Sequence, residues 1–142
     1  MRPLLLLLIS FFHMITIQAQ QDQPLRIGVV GLTHTHVHWI LDQASRGEVN
    51  MVGIVEPNRE LAERYAKQYG YDMNLVYKDL ETMLTAKNPE AVTAFNSIFD
   101  HLKTVEICAP KGIHVMVESR WPSICPMLKK CVIWPNSTIF IF

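Results

Sequence analysis

From Leu25 onward, short apolar runs alternate with stretches in which apolar residues recur at helical spacing. The run at 26–30 reads as a strand entering Gly31, and 37–45 reads as a helix closed near Gly47. Positions 49–55 are almost continuously apolar, as a strand covered on both faces should be. Pro57 and Asn58 open the next helix. Leu61, Ala62, Tyr65, Ala66 and Tyr69 line one face of it, and Gly70 stands where a C-cap glycine belongs. A short extended piece at 75–77 precedes Asp79, which caps a helix to about 86 that Asn88-Pro89 stops. A strand at 91–95, a helix from about Asp100 carrying Leu102, Val105 and Ala109, the break Pro110-Lys111-Gly112 and a strand at 113–117 complete the series. Strands alternating with helices of this length predict an α/β fold with a doubly wound parallel, Rossmann-like sheet, incomplete at its C-terminal edge.

The text changes character after Glu118. The stretch Ser119-Arg120-Trp121-Pro122-Ser123-Ile124-Cys125-Pro126 has no period, and the tail from Ser119 holds two of the three tryptophans and two of the three cysteines. Back-translated with one added A, Glu-Ser-Arg-Trp-Pro becomes Glu-Lys-Pro-Leu-Ala. The same shift writes a capped amphipathic helix over 123–136 and allows an apolar-alternating strand over 137–142. The expectation is a folded domain at 25–118 followed by a frameshifted tail at 119–142 outside the fold.

Charge excludes little but is informative. Lys plus Arg and Asp plus Glu are 13 each, and the basic residues are scattered, so there is no nucleic-acid footprint. Arg2, an apolar run of ~14 residues and the small Ala19 fit a Sec-type signal peptide at 1–19, too short for a membrane span. The chain is expected to be exported, periplasmic or secreted, without a stable membrane anchor. Cys108 falls in a helix, where a buried thiol acts as a small hydrophobe, and no structural disulfide is expected with Cys125 and Cys131 in the tail.

Candidate chemistry gathers after the first strand, in Gly31-Leu32-Thr33-His34-Thr35-His36. In a doubly wound sheet this turn offers backbone N–H groups and a helix N-terminus to a pyrophosphate. Against G-x-G-x-x-G only Gly31 is kept; Thr33 and His36 occupy the other two places. The Thr33 hydroxyl could compensate by donating to phosphate. Glu56 ends the second strand where a carboxylate accepts hydrogen bonds from an adenosine ribose, which favours NAD; Arg59 leaves NADP open. His34, His36 and His38 admit three readings: capping or half-buried imidazoles, dinucleotide or substrate contacts, or ligands of a metal-dependent hydrolase. Asn96, Ser97 and His101 lie at the start of the helix after the fourth strand, near the expected switch point. Met51, Met73, Met83 and Met116 are read as packing.

Together, Arg26-Ile-Gly-Val-Val-Gly31, Val52-Gly-Ile-Val-Glu56-Pro57-Asn58, Asp100-His101 and Gly112-Ile-His-Val-Met-Val-Glu118 resemble the Gfo/Idh/MocA oxidoreductases, especially a secreted branch with a histidine-rich first turn. The resemblance covers residues 25–118. It implies a dinucleotide-binding Rossmann domain, with Gly31, Thr33, His34, His36, Glu56, Asn96, Ser97, His101 and Glu118 as cofactor-side candidates. It also implies a sugar-like or polyol substrate held by a further domain in an intact parent. The family places a Glu-Lys-Pro lysine near the nicotinamide; here Ser119 follows Glu118, so catalysis by the chain as written is not expected. A non-catalytic binding remnant is the alternative.

Overall fold

A computed structural model of the chain describes residues 23–117 and 139–141; the expected leader, Glu118, Cys125 and Cys131 lie outside them. Six strands form one parallel sheet: β1 (Arg26–Val30), β2 (Asn50–Val55), β3 (Val76–Tyr77), β4 (Ala91–Ala94), β5 (His114–Val117) and β6 (Ile139–Ile141). Their order is β3-β2-β1-β4-β5-β6, all neighbours parallel. The chain winds outward in one direction from β1 and in the other from β4, which puts the topological switch point between these two strands.

Four helices complete the crossovers: α1 (Val37–Ser45), α2 (Arg59–Tyr69), α3 (Leu80–Lys87) and α4 (Ile98–Cys108). Period-two alternation along the strands divides the core. Ile27, Val29 and Ile54 pack with Val37, Ile40, Leu41, Ala62 and Tyr65 under α1 and α2. Val30, Val55, Val92 and Val115 pack with Leu84, Met83, Val105 and Cys108 under α3 and α4. Each fully buried Val or Leu contributes roughly 1.5–3 kcal/mol, so a strand with both faces covered is held firmly. Met83, read as packing, is fully buried and fills the space that Gly28 and Gly53 leave on the sheet. Cys108 is a free, fully buried thiol that burial pushes up to about 12, so it packs as the expected small hydrophobe.

Two boundaries differ from the sequence reading. The helix expected from Asp100 starts at Ile98, because the Ser97 hydroxyl donates to the Asp100 carboxylate at 2.5 Å and closes the first turn earlier. The strand expected to include Phe95 ends at Ala94, and the Phe95 carbonyl turns to serve the neighbouring loop. A larger correction concerns the tail. Ile139–Ile141 pairs in register with Val115–Val117, so three residues expected outside the fold lie in the sheet and supply a sixth strand. The edge of β5 offers backbone groups for pairing, and the apolar triplet Ile-Phe-Ile has the β-branched and aromatic residues that favour strands. Among the described residues, no helix is long and apolar enough to cross a membrane.

Candidate dinucleotide site

The turn after β1 is built around one backbone conformation. Gly31 has φ +80°, and a Cβ there would lie 2.7 Å from the backbone nitrogen of Asn96, so only glycine lets the β1 and β4 ends meet. Neighbouring strand ends then hold the turn from both sides. On the β2 side, Gly31 N–H donates to Val55 O at 2.8 Å, and Leu32 N–H donates to Glu56 Oε2 at 2.9 Å. On the β4 side, His34 N–H and the Thr33 hydroxyl donate to the same carbonyl, Phe95 O, at 3.1 and 3.2 Å. The chain then coils into α1 through bonds from Val37, His38 and Trp39 N–H to His34, Thr35 and His36 O, and no side chain caps the helix.

Glu56 is only 5% exposed. Its two oxygens accept from Leu32 N–H and Asn58 N–H, each at 2.9 Å, so the carboxylate ties the first turn to the second. Lone pairs remain on both oxygens for a ribose hydroxyl. Tyr71 is pushed up to about 12, by burial first and then by the nearby Glu56 charge, and its hydroxyl donates to Ala62 O. Arg59, the residue that left NADP open, is exposed and pairs with Glu63 along α2 at 2.8 Å.

A cleft of about 650 Å³ opens at the carboxyl ends of β1, β2 and β4. Of the expected residues it gathers Gly31, Thr33, Glu56, Asn96 and Ser97. It adds Lys78, Leu80, Lys103 and Ile107, which the sequence reading missed. Their signal was positional: Lys78 follows β3 directly, and Lys103 and Ile107 share a face of α4 at i and i+4. Asn96 Oδ1 is a buried acceptor with no hydrogen-bond partner among the described residues. Such an atom at the rim of a cleft suits a ligand donor. Asp79, also lining the cleft, is held below the usual carboxylate range by the N–H and hydroxyl of Thr82.

The histidines separate. His34 and His36 stay together, ring centroids 4.9 Å apart and edge to face, and His36 stacks on Trp39 at 4.6 Å. His38 instead turns to the α1–α2 seam, where Nδ1 bonds the Tyr69 hydroxyl and the ring lies 5.3 Å from Tyr65. His34 and His36 lie in the turn before α1 while His38 lies within α1, so the three side chains do not line up as they would along a strand. No three His, Cys, Asp or Glu side chains among the described residues gather as a metal site. His101 is buried on α4 and is not among the residues that line the cleft; Glu118 lies outside the described residues. The Thr33 hydroxyl, expected to donate to phosphate, spends its single proton on Phe95 O.

Residues 25–119 match the family described as "Oxidoreductase family, NAD-binding Rossmann fold", Gfo/Idh/MocA. The chain belongs to the Gfo/Idh/MocA oxidoreductase family. No curated protein matches it in sequence. Among solved structures, the WlbA dehydrogenase from Bordetella pertussis, in complex with NADH and UDP-GlcNAcA, is similar at TM-score 0.66 and 23% identity, over 84% of this chain and 37% of that one. Scyllo-inositol dehydrogenase from Lactobacillus casei, with bound NAD(H) and scyllo-inositol, gives TM-score 0.67 and 17% identity, over 83% and 36%. An oxidoreductase from Sinorhizobium meliloti gives 0.65 and 24%, over 84% and 37%. The chain therefore spans little more than a third of the length of these structures, and at such identities they speak for the fold.

The Gfo/Idh/MocA cofactor domain binds NAD, and the residues present here fit that group. Gly31 brings the turn close to the β4 end, and the positive dipole end of α1 begins at that turn, where His36 makes no side-chain cap bond. The Glu56 carboxylate faces the cleft, and Asn96 Oδ1 is an acceptor in search of a donor.

Proposed function

We propose that this chain is the NAD-binding part of an exported oxidoreductase that acts on sugar-like or polyol substrates. The observation that carries the reading is the turn 31–36, fixed between the ends of β2 and β4 at the switch point of the sheet. The dinucleotide would lie across that point, its pyrophosphate at the start of α1, its adenosine side in the cleft and its ribose at Glu56. NAD supplies the hydride chemistry when bound, and the protein supplies position and charge. The substrate class is suggested by the scyllo-inositol and UDP-GlcNAcA of the two crystallised relatives, and export by the apolar leader.

Ser119 stands where the resemblance calls for a lysine, and this favours a second reading: a binding module without turnover. The shifted-frame reading of 119–142 belongs to the proposal, and resequencing the DNA across codons 118 and 119 checks it. An extra A would restore Glu-Lys-Pro. Calorimetric titration with NAD and with NADP tests the binding itself. Saturable heat with NAD tighter than NADP is expected; no heat with either would overturn the function. Adding polyols to the NAD-loaded chain and following absorbance at the nicotinamide band separates turnover from binding alone.

A further inference from the structure

We propose that Thr33 is a positioning residue for the cofactor, and that at the place of the motif's second glycine its hydroxyl latches the turn to the end of β4. The inference rests on the NAD reading above. In the G-x-G-x-x-G pattern the second glycine is kept so that the backbone can approach the pyrophosphate. At this place Thr33 carries a side chain, lines the cleft and donates its hydroxyl proton to Phe95 O. With that proton committed, Thr33 offers none to a phosphate.

Phe95 is well placed to act as an anchor. The residue is 2% exposed and packed in the core under α1, and its N–H donates to Val30 O at 2.7 Å. Its carbonyl then receives both Thr33 Oγ1 and His34 N–H, filling two lone pairs with donors from consecutive residues of the turn. The turn is thus latched to a buried residue at the end of β4 before any ligand arrives. A glycine at 33 would remove one of those bonds and add backbone freedom to the segment that must present its amides to the pyrophosphate. Restoring the glycine of the motif should therefore weaken binding.

The test is a three-variant series on the full chain, read by NAD calorimetry and by amide hydrogen exchange at His34 in the free protein. Thr33→Ser keeps the hydroxyl and should hold the dissociation constant within about twofold, since one hydrogen bond is retained. Thr33→Val keeps the shape and loses the donor, for a rise of about fivefold. Thr33→Gly also gains freedom, for a rise of about tenfold or more. His34 exchange should quicken in the valine and glycine variants and stay unchanged in the serine variant. Equal or tighter NAD binding by Thr33→Gly would overturn the proposal, as would an exchange series with no dependence on the hydroxyl. If the unaltered chain took up no NAD, the functional reading would fall while the exchange series still decided the latch.

Discussion

The four helices that start at the carboxyl ends of strands begin in two different ways. At the outer crossovers, α2 and α3 are capped: Asn58 Oδ1 accepts from Leu61 N–H at 3.2 Å, and Asp79 Oδ1 accepts from Thr82 N–H at 2.8 Å. At the switch point, α1 and α4 have no side-chain cap. His36 sits in helical geometry with no cap bond, and the Ser97 hydroxyl is drawn to Asp100. A helix N-terminus leaves four N–H groups without intrahelical partners, and a cap satisfies one or two of them. At the outer crossovers a side chain supplies one of the acceptors. At the switch point, backbone carbonyls of the entering turns take these amides instead, and the positive dipole ends of α1 and α4 carry no side-chain cap.

The contrast can be broken most severely at Gly31. Gly31→Ala places a Cβ against the Asn96 backbone at positive φ, so it should cost about 3 kcal/mol or more in urea denaturation and abolish NAD binding. Glu56→Gln comes next. One of the two amides would then face an NH2 group rather than an oxygen, for a loss of about 2 kcal/mol and reduced preference for NAD over NADP in parallel titrations. His36→Asp puts a carboxylate at the uncapped start of α1. NAD affinity should fall about tenfold while the melting transition moves little, because the charge repels phosphate but suits the helix.

Asn58→Ala is the mirror experiment on a capped helix. Stability should fall by about 1 kcal/mol in chemical denaturation with NAD affinity nearly unchanged. The smallest effect belongs to Asp79. Its carboxyl is held below the ordinary value by Thr82, so its contribution is complete above the usual carboxylate range and is lost as pH falls through the lowered value. Asp79→Asn should flatten that acid limb of the stability curve and leave the neutral region in place.

Much of this was legible in the sequence, for identifiable reasons. Strands covered on both faces wrote unbroken apolar runs such as 52–55, and Asn58, Asp79 and Gly70 marked helix ends whose caps the structure shows. Gly31 and Glu56 could be placed because a tight turn and a strand-end carboxylate each leave one residue with little freedom. Direction was not legible. His34, His36 and His38 read as one cluster, yet the turn into α1 sends His38 to Tyr69 and keeps the other two beside Trp39. The Thr33 hydroxyl could be named as a donor, but its acceptor is 62 residues away at the end of β4. Lys78 and Lys103 come from two different elements and meet only through the strand order. Pairing of Ile139–Ile141 with β5 likewise depends on an edge being open, which no local pattern announces.

Amide chemical-shift mapping during an NAD titration tests the account most directly. Saturable shifts that are largest at residues 31–37, with Asn96 and Ser97 following and the exposed face of α2 silent, are the expected result. An absence of shifts, or shifts confined to surfaces away from the β1–α1 turn, would contradict the assignment of that turn as the dinucleotide site.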